Sequence, residues 1–207
     1  MEVRGMDFIG EYTISSEICD KLIEHFESPY ISKIDRMNAR DMASSWSDSV
    51  DVFLDGVAKD AYKEELLKCA REYVEKWPNC IKLVSDWGVQ EEISIQKYAP
   101  GRGNKTIHCD RTDGKGKFCK RLLAFTTYLN DMSEGGEIEF EHQNRTIKPA
   151  KGRTIIWPVD WTHAHQVCAS NSETKYVITG WISFAYSAVA SRCNPGDSKG
   201  AASSSGS

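Results

Sequence analysis

The 207-residue sequence has no run approaching the roughly 18 consecutive apolar residues that a membrane-spanning helix needs. Its opening, Met1-Glu-Val-Arg-Gly-Met-Asp7, has no apolar core of the kind a secretory signal carries, so a soluble cytoplasmic protein is the expectation. A basic surplus is missing too. Lys and Arg total 26 against 30 Asp and Glu, the formal net charge is -4 and the pI about 5.8, which argues against nucleic acid or an anionic membrane as partner. The seven cysteines are odd in number and contain no Cys-x-x-Cys pair, so they indicate neither a disulfide framework nor a zinc knuckle and read as reduced thiols. No internal repeat is visible. Gly101-Arg-Gly103 is not followed by the helix a phosphate-binding loop requires, and is read as a turn.

What is present suffices for one sizeable core: 40% hydrophobic residues, including six Trp, in a chain too short for two full domains. The first part reads as helical. After Ser15 as N-cap, Ile18, Leu22, Ile23 and Phe26 recur at helical spacing up to Ser28-Pro29. A longer helix is predicted from Asp55 to Trp77, with Val57, Ala61, Leu66, Leu67, Ala70, Tyr73 and Val74 as its buried stripe. Between them, Ile31 to Val50 is polar with Met37, Met42 and Trp46 interspersed, a surface loop or a lid over a substrate. After Trp87 short β-rich runs follow one another: Glu92 to Tyr98, Arg121 to Asn130, Glu137 to Glu141, Arg153 to Trp157 and Thr174 to Phe184, separated by Gly-containing turns. Helices followed by closely spaced strands predict an antiparallel sandwich with the helices outside one sheet. The tail from Asn194 is Ser- and Gly-rich and is left out of the fold argument.

His108 and Asp110 stand two apart on an extended stretch and so point the same way. With one later histidine, His163 or His165, they make two imidazoles and one carboxylate, the set that holds non-haem Fe(II) with positions left open. In the last strand Lys175, Val177, Thr179, Trp181 and Ser183 share one face, while Tyr176, Ile178, Ile182 and Phe184 share the other. A lysine there is costly to bury unless it meets an anion, and Lys175 with Thr179 could hold a carboxylate; the alternative is a lysine reaching out to water. In the strand beginning at Arg121, Leu122, Ala124, Thr126 and Tyr128 share a face, and Tyr128 is either a pocket hydroxyl or a core aromatic.

Taken in order, Tyr98-Ala-Pro-Gly-Arg-Gly103, His108-Cys-Asp110, Arg121, Tyr128-Leu-Asn130, Gly135-Gly136, Pro149-Ala-Lys-Gly152, His165 and Lys175-Tyr176 with Thr179-Gly-Trp181 resemble the prolyl 4-hydroxylase-like branch of 2-oxoglutarate- and Fe(II)-dependent dioxygenases. The resemblance implies a mainly β fold, a double-stranded β-helix or jelly-roll core over residues 93–185, with helical support over residues 1–92 and a tail over residues 186–207. It implies His108, Asp110 and a later histidine as iron ligands. His165 is preferred over His163 because it stands ten positions before Lys175, the family's interval between last ligand and carboxylate grip. It implies Lys175 on the distal carboxylate of 2-oxoglutarate, with Thr179, Tyr128 and Tyr98 hydrogen-bonding the same cosubstrate, and Arg121 and Trp181 touching substrate.

The activity so implied consumes O2 and 2-oxoglutarate, with ascorbate as a supporting reductant, releases succinate and CO2, and hydroxylates a C–H bond. The first expectation for the substrate is a prolyl residue in a peptide or protein. A free amino acid or small metabolite is a second reading, and a jelly-roll binding module without turnover a third.

Overall fold

The computed structural model describes residues 7–31, 49–84, 86–103, 106–112 and 114–185. Its layering is set by one long strand, β10 (Lys175–Phe184), whose side chains alternate between two different cores. Ile178 and Ile182 enter a core shared with helices, while Val177 and Trp181 face a second core beneath a smaller sheet. β10 is flanked by β5 (Arg121–Tyr128) and β4 (Ser94–Tyr98). The larger sheet continues on one side through β8 (Arg153–Pro158) to β1 (Gly10–Thr13), and on the other to β2 (Val50–Phe53). The two-residue β3 (Trp87–Gly88) pairs with the far end of β10. β7 (Arg145–Ile147), β6 (Ile138–Phe140) and β9 (His165–Val167) form the smaller sheet, and all these pairings are antiparallel.

The sandwich and its outer helices therefore stand as expected. α1 (Ser16–Glu27) buries Cys19, Leu22 and Phe26, and α2 (Gly56–Lys76) buries Tyr62, Leu66, Cys69, Ala70 and Tyr73, all against the outer face of the larger sheet. A single turn, α3 (Asn79–Lys82), follows. The stripe of α2 differs from the predicted one: Val57 is 86% and Leu67 47% exposed. Successive helical residues lie about 100° apart, so Leu66 and Leu67 cannot both face the sheet. The face that wins carries Tyr62, whose hydroxyl meets Thr127 Oγ1 at 2.8 Å; Thr127 in turn meets Thr154 Oγ1 at 2.9 Å. This buried chain of hydroxyls ties α2 to β5 and β8. Tyr62→Phe removes one bond of that chain while Thr127 keeps Thr154, and should cost about 0.5–1.5 kcal/mol, read as a lower urea midpoint with an unchanged m-value.

Strands β1, β2, β7 and β9 had no strong signal in the sequence, since each is only three or four residues long. The loop proposed as a lid lies, over residues 32–48, outside the described residues, as does the tail over residues 186–207.

The turn after β5 is where backbone freedom matters most. Gly135 and Gly136 have φ of +70° and +75°, and a Cβ on Gly135 would sit 2.5 Å from the Ser170 backbone. Only glycine lets this loop close on the segment after β9. The Gly136 carbonyl is thereby presented to the Tyr128 hydroxyl, 2.8 Å away.

Candidate active site

The segment holding His108 joins the edge of the smaller sheet through a single bridge: His108 N–H donates to His165 O at 3.0 Å and His165 N–H to His108 O at 2.9 Å. Two residues further on, Asp110 N–H donates to Val159 O at 3.1 Å. An extended run with both ends pinned puts His108 and Asp110 on one side, facing His165 at the start of β9. One ligand atom from each of the three lies within 4.8 Å of the others.

Hydrogen bonds decide which atoms those are. His108 Nδ1 donates to Thr106 O at 2.8 Å and His165 Nδ1 to His163 O at 2.9 Å, because a carbonyl can only accept. Both rings then carry the proton on Nδ1 and turn an Nε2 lone pair into the site. Burial pushes the His165 imidazole below its ordinary pKa, against the pull of Asp110, which keeps that lone pair free at neutral pH. Phe140 and Trp157 wall the ring in, with centroids 5.6 Å and 5.2 Å from it.

Asp110 is 9% exposed, and its two oxygens have different surroundings. Oδ1 accepts from Trp181 Nε1 at 2.9 Å. Oδ2 is buried without a donor, 3.8 Å from His165 Nε2. A buried carboxylate oxygen left unpaired is costly. A divalent cation held between that oxygen and the two Nε2 atoms removes the cost, so the donor set fits Fe(II).

His163 is not part of this set. Trp161–His163 form a 3-10 turn, closed by His163 N–H donating to Asp160 O at 2.8 Å, so His163 and His165 do not lie on one extended run. The turn swings the ring away. Its Nε2 donates to Asp7 O at 2.9 Å and its Nδ1 accepts from the Thr162 hydroxyl at 3.0 Å, so no nitrogen remains for a metal. What His163 lends the site is its backbone carbonyl. His165→Ala should therefore abolish high-affinity Mn(II) binding, whereas His163→Ala leaves the orienting carbonyl in place and should retain it within about tenfold, at or below the low end of the ~10–100-fold that loss of an outer partner brings; titration of the purified variants checks this, and equal losses would undo the assignment.

Lys175 is 5% exposed, at the opposite end of the same face of β10. Its Nζ lies 4.5 Å from the centre of the Tyr98 ring, and no described carboxylate forms an ion pair with it. Burial lowers its pKa to about 8. The reading of Lys175 as a residue that escapes to water is thus excluded by position. Tyr98 donates its hydroxyl to Gln96 Oε1 at 3.4 Å, and Thr179 Oγ1 lies 3.2 Å from Thr126 Oγ1 on the inner face. The Tyr128 hydroxyl, donated to Gly136 O, has only lone pairs left for another partner.

Arg121 stands differently from the expectation of substrate contact. It is 6% exposed and already engaged: Nε and Nη2 donate to Glu91 Oε1 and Oε2 at 2.8 and 2.7 Å, and Nη1 to Asp110 O at 3.2 Å. Its guanidinium carbon lies 3.3 Å from the centre of the Trp181 ring, with Phe118 at 4.2 Å. Nearby, Arg111 makes a second fork, to Asp160 at 2.9 and 2.7 Å, joining the two ligand-bearing segments. Neither Glu91 nor Asp160 carried a signal in the sequence. Each is an acid in a polar stretch until folding brings an arginine to it.

A sandwich in which His-x-Asp meets a distant His, with a buried lysine on the inward face of β10, carries the donor set of a non-haem iron oxygenase. Consistently, residues 93–183 match the model of the 2OG-Fe(II) oxygenase superfamily (2OG being 2-oxoglutarate). No curated protein matches the sequence. Among solved structures, the fold is similar to that of a viral collagen prolyl hydroxylase from Paramecium Bursaria Chlorella virus-1 in its 2OG complex, with TM-score 0.64 and 20% identity over 89% of this chain and 100% of that one. A Pseudomonas putida prolyl-4-hydroxylase aligns with TM-score 0.62 and 14% identity, over 87% of this chain and 95% of its own. A Trichoplax adhaerens prolyl hydroxylase, in complex with a hypoxia inducible factor oxygen degradation domain peptide, aligns with TM-score 0.61 and 16% identity, over 86% and 84%.

Proposed function

We propose that this 2-oxoglutarate- and Fe(II)-dependent oxygenase hydroxylates a prolyl residue, at carbon 4, within a peptide or protein. The observation that carries the site assignment is the pairing of two uncompensated buried charges on one inner surface: the Asp110 Oδ2 oxygen without a donor and the Lys175 ammonium without a carboxylate. One asks for a cation and the other for an anion. Fe(II) and 2-oxoglutarate meet both needs, and a binding module without turnover needs neither.

In this reading His108, Asp110 and His165 hold the metal, and Lys175, beside the Tyr98 ring and with Thr179 further along the same face of β10, holds the cosubstrate; Tyr128, its proton committed to Gly136 O, supports the loop rather than donating to a carboxylate. When bound, the pair supplies the oxidising chemistry, with 2-oxoglutarate leaving as succinate and carbon dioxide. The protein's own part is positional. Thr106 and His163 carbonyls orient the two imidazoles, Trp181 commits one oxygen of Asp110 so that the other faces the metal, and Phe140 and Trp157 keep water from the His165 side. The partly exposed Trp181 is the residue of this set best placed to meet substrate as well.

The prolyl substrate is supported by the likeness to three prolyl hydroxylases, one of them in complex with a peptide. The test is incubation with Fe(II), ascorbate, 2-oxoglutarate and proline-containing peptides, scored by mass spectrometry for a gain of one oxygen and by matching succinate. Hydroxylation of free proline but of no peptide would replace the proposed substrate class. Succinate formation indifferent to Fe(II) would overturn the reading altogether.

A further inference from the structure

The side chain that decides which oxygen of Asp110 is free to ligate is Trp181, and what holds Trp181 lies outside the ligand set. The Arg121 guanidinium carbon lies 3.3 Å from the centre of the indole, a cation over a π face, and 4.2 Å from the centre of the Phe118 ring. The same guanidinium reaches the other end of the ligand residue, donating to the Asp110 backbone carbonyl at 3.2 Å. Arg121 thus grips Asp110 twice, directly at the main chain and through Trp181 at the carboxylate.

Arg121 cannot hold that position alone. Its side chain is 7% exposed, and two of its N–H groups point at Glu91, whose two oxygens accept them in a parallel fork at 2.8 and 2.7 Å. Ser183 donates weakly to Glu91 Oε1 at 3.5 Å, and Glu91 itself is 27% exposed. A buried guanidinium deprived of that fork has strong reason to turn toward water, leaving the indole unsupported. A fork is planar and bidentate, so it fixes the position and plane of the guanidinium against which the indole rests.

We propose that Glu91 is a positioning residue for the metal centre. Through Arg121 and Trp181 it fixes the Asp110 carboxylate so that Oδ2 faces the two imidazoles. The inference rests on the oxygenase reading and adds to it a residue, outside the ligand motif, on which metal affinity depends.

The test uses the full chain, freed of metal, and measures Mn(II) and Co(II) affinity by calorimetric titration alongside the Tm of the apo protein. Glu91→Ala should weaken both metals by about 10- to 100-fold, the range for loss of an outer partner. Glu91→Gln, which keeps one acceptor for Arg121, should fall between it and the parent, and serves if the alanine variant does not fold. Trp181→Phe leaves an aromatic face, smaller than the indole, and removes the N–H to Asp110, so it should show a similar loss. The Glu91→Ala/Trp181→Phe pair should lose less than the product of the two single losses, because both act along one route. At saturating Fe(II), the turnover of Glu91→Ala should return toward the parent value. A Glu91→Ala or Glu91→Gln protein with a lowered Tm but parental metal affinity would make the ion pair structural only and overturn the proposal, as would strictly multiplicative losses in the double variant. Failure of the parent protein itself to bind either metal would overturn the oxygenase reading, and this inference with it.

Discussion

Replacing Asp110 with alanine is expected to abolish Fe(II)-dependent turnover and to lower metal affinity by more than the ~10–100-fold that loss of a mere outer partner brings. Asp110 contributes the only carboxylate of the described triad, and its unpartnered Oδ2 is the oxygen that faces His165. The remaining two imidazoles are neutral and leave the metal charge uncompensated. The apo protein should behave in the opposite sense. Removing a buried carboxylate oxygen that has no donor relieves a desolvation penalty, which offsets the lost bond from Trp181. The Tm of the metal-free variant should therefore be equal to or above that of the parent. Metal titration and a thermal melt on the same preparation separate the two effects, and near-parental turnover by Asp110→Ala would remove it from the ligand set.

The second large effect falls on Lys175. Exchange for methionine keeps most of the volume and removes the charge, so the loss should be confined to 2-oxoglutarate binding. A hydrogen bond to a charged group is worth about 1.5–3 kcal/mol, a rise of about 10- to 150-fold in the concentration of 2-oxoglutarate required. The same charge predicts a pH dependence. Burial lowers the Lys175 pKa from 10.5 to about 8 in the free protein, so affinity for the dianion should fall as pH rises through that value, and Lys175→Met should show no such fall. Stability runs the other way. Between the two pKa values the unfolded chain binds more protons than the folded one, so Lys175 makes the free protein more stable as pH rises from about 8 to 10.5. An unchanged 2-oxoglutarate requirement in Lys175→Met would take the residue out of the site.

Several features of the site were legible because they depend on local rules. Period-two alternation along Lys175–Phe184 and Arg121–Tyr128 assigned side chains to faces, and the structure keeps those faces except at Leu122, where a register shift opposite Ile182 and Ser183 turns it to the helix-side core with Leu123. The same rule put His108 and Asp110 on one side. The α2 stripe was harder, because Leu66 and Leu67 are equally apolar, and only the hydroxyl chain waiting at Thr127 tells which face turns inward. Strands β1, β2, β7 and β9 escaped notice because their pairing partners, not their own composition, make them strands.

By itself the sequence determined the chemistry on offer: which donor atoms exist, in what order, and that a lysine falls on the inward face of a strand otherwise made for burial. Those are properties of residue type and spacing. Only the tertiary structure decided between His163 and His165, because a 3-10 turn after Asp160 spends both nitrogens of the first ring elsewhere and leaves an Nε2 lone pair on the second. It alone turned Arg121 from a presumed substrate contact into a support beneath Trp181, because the acid that pairs with it stands thirty residues away and meets it only when the strands close.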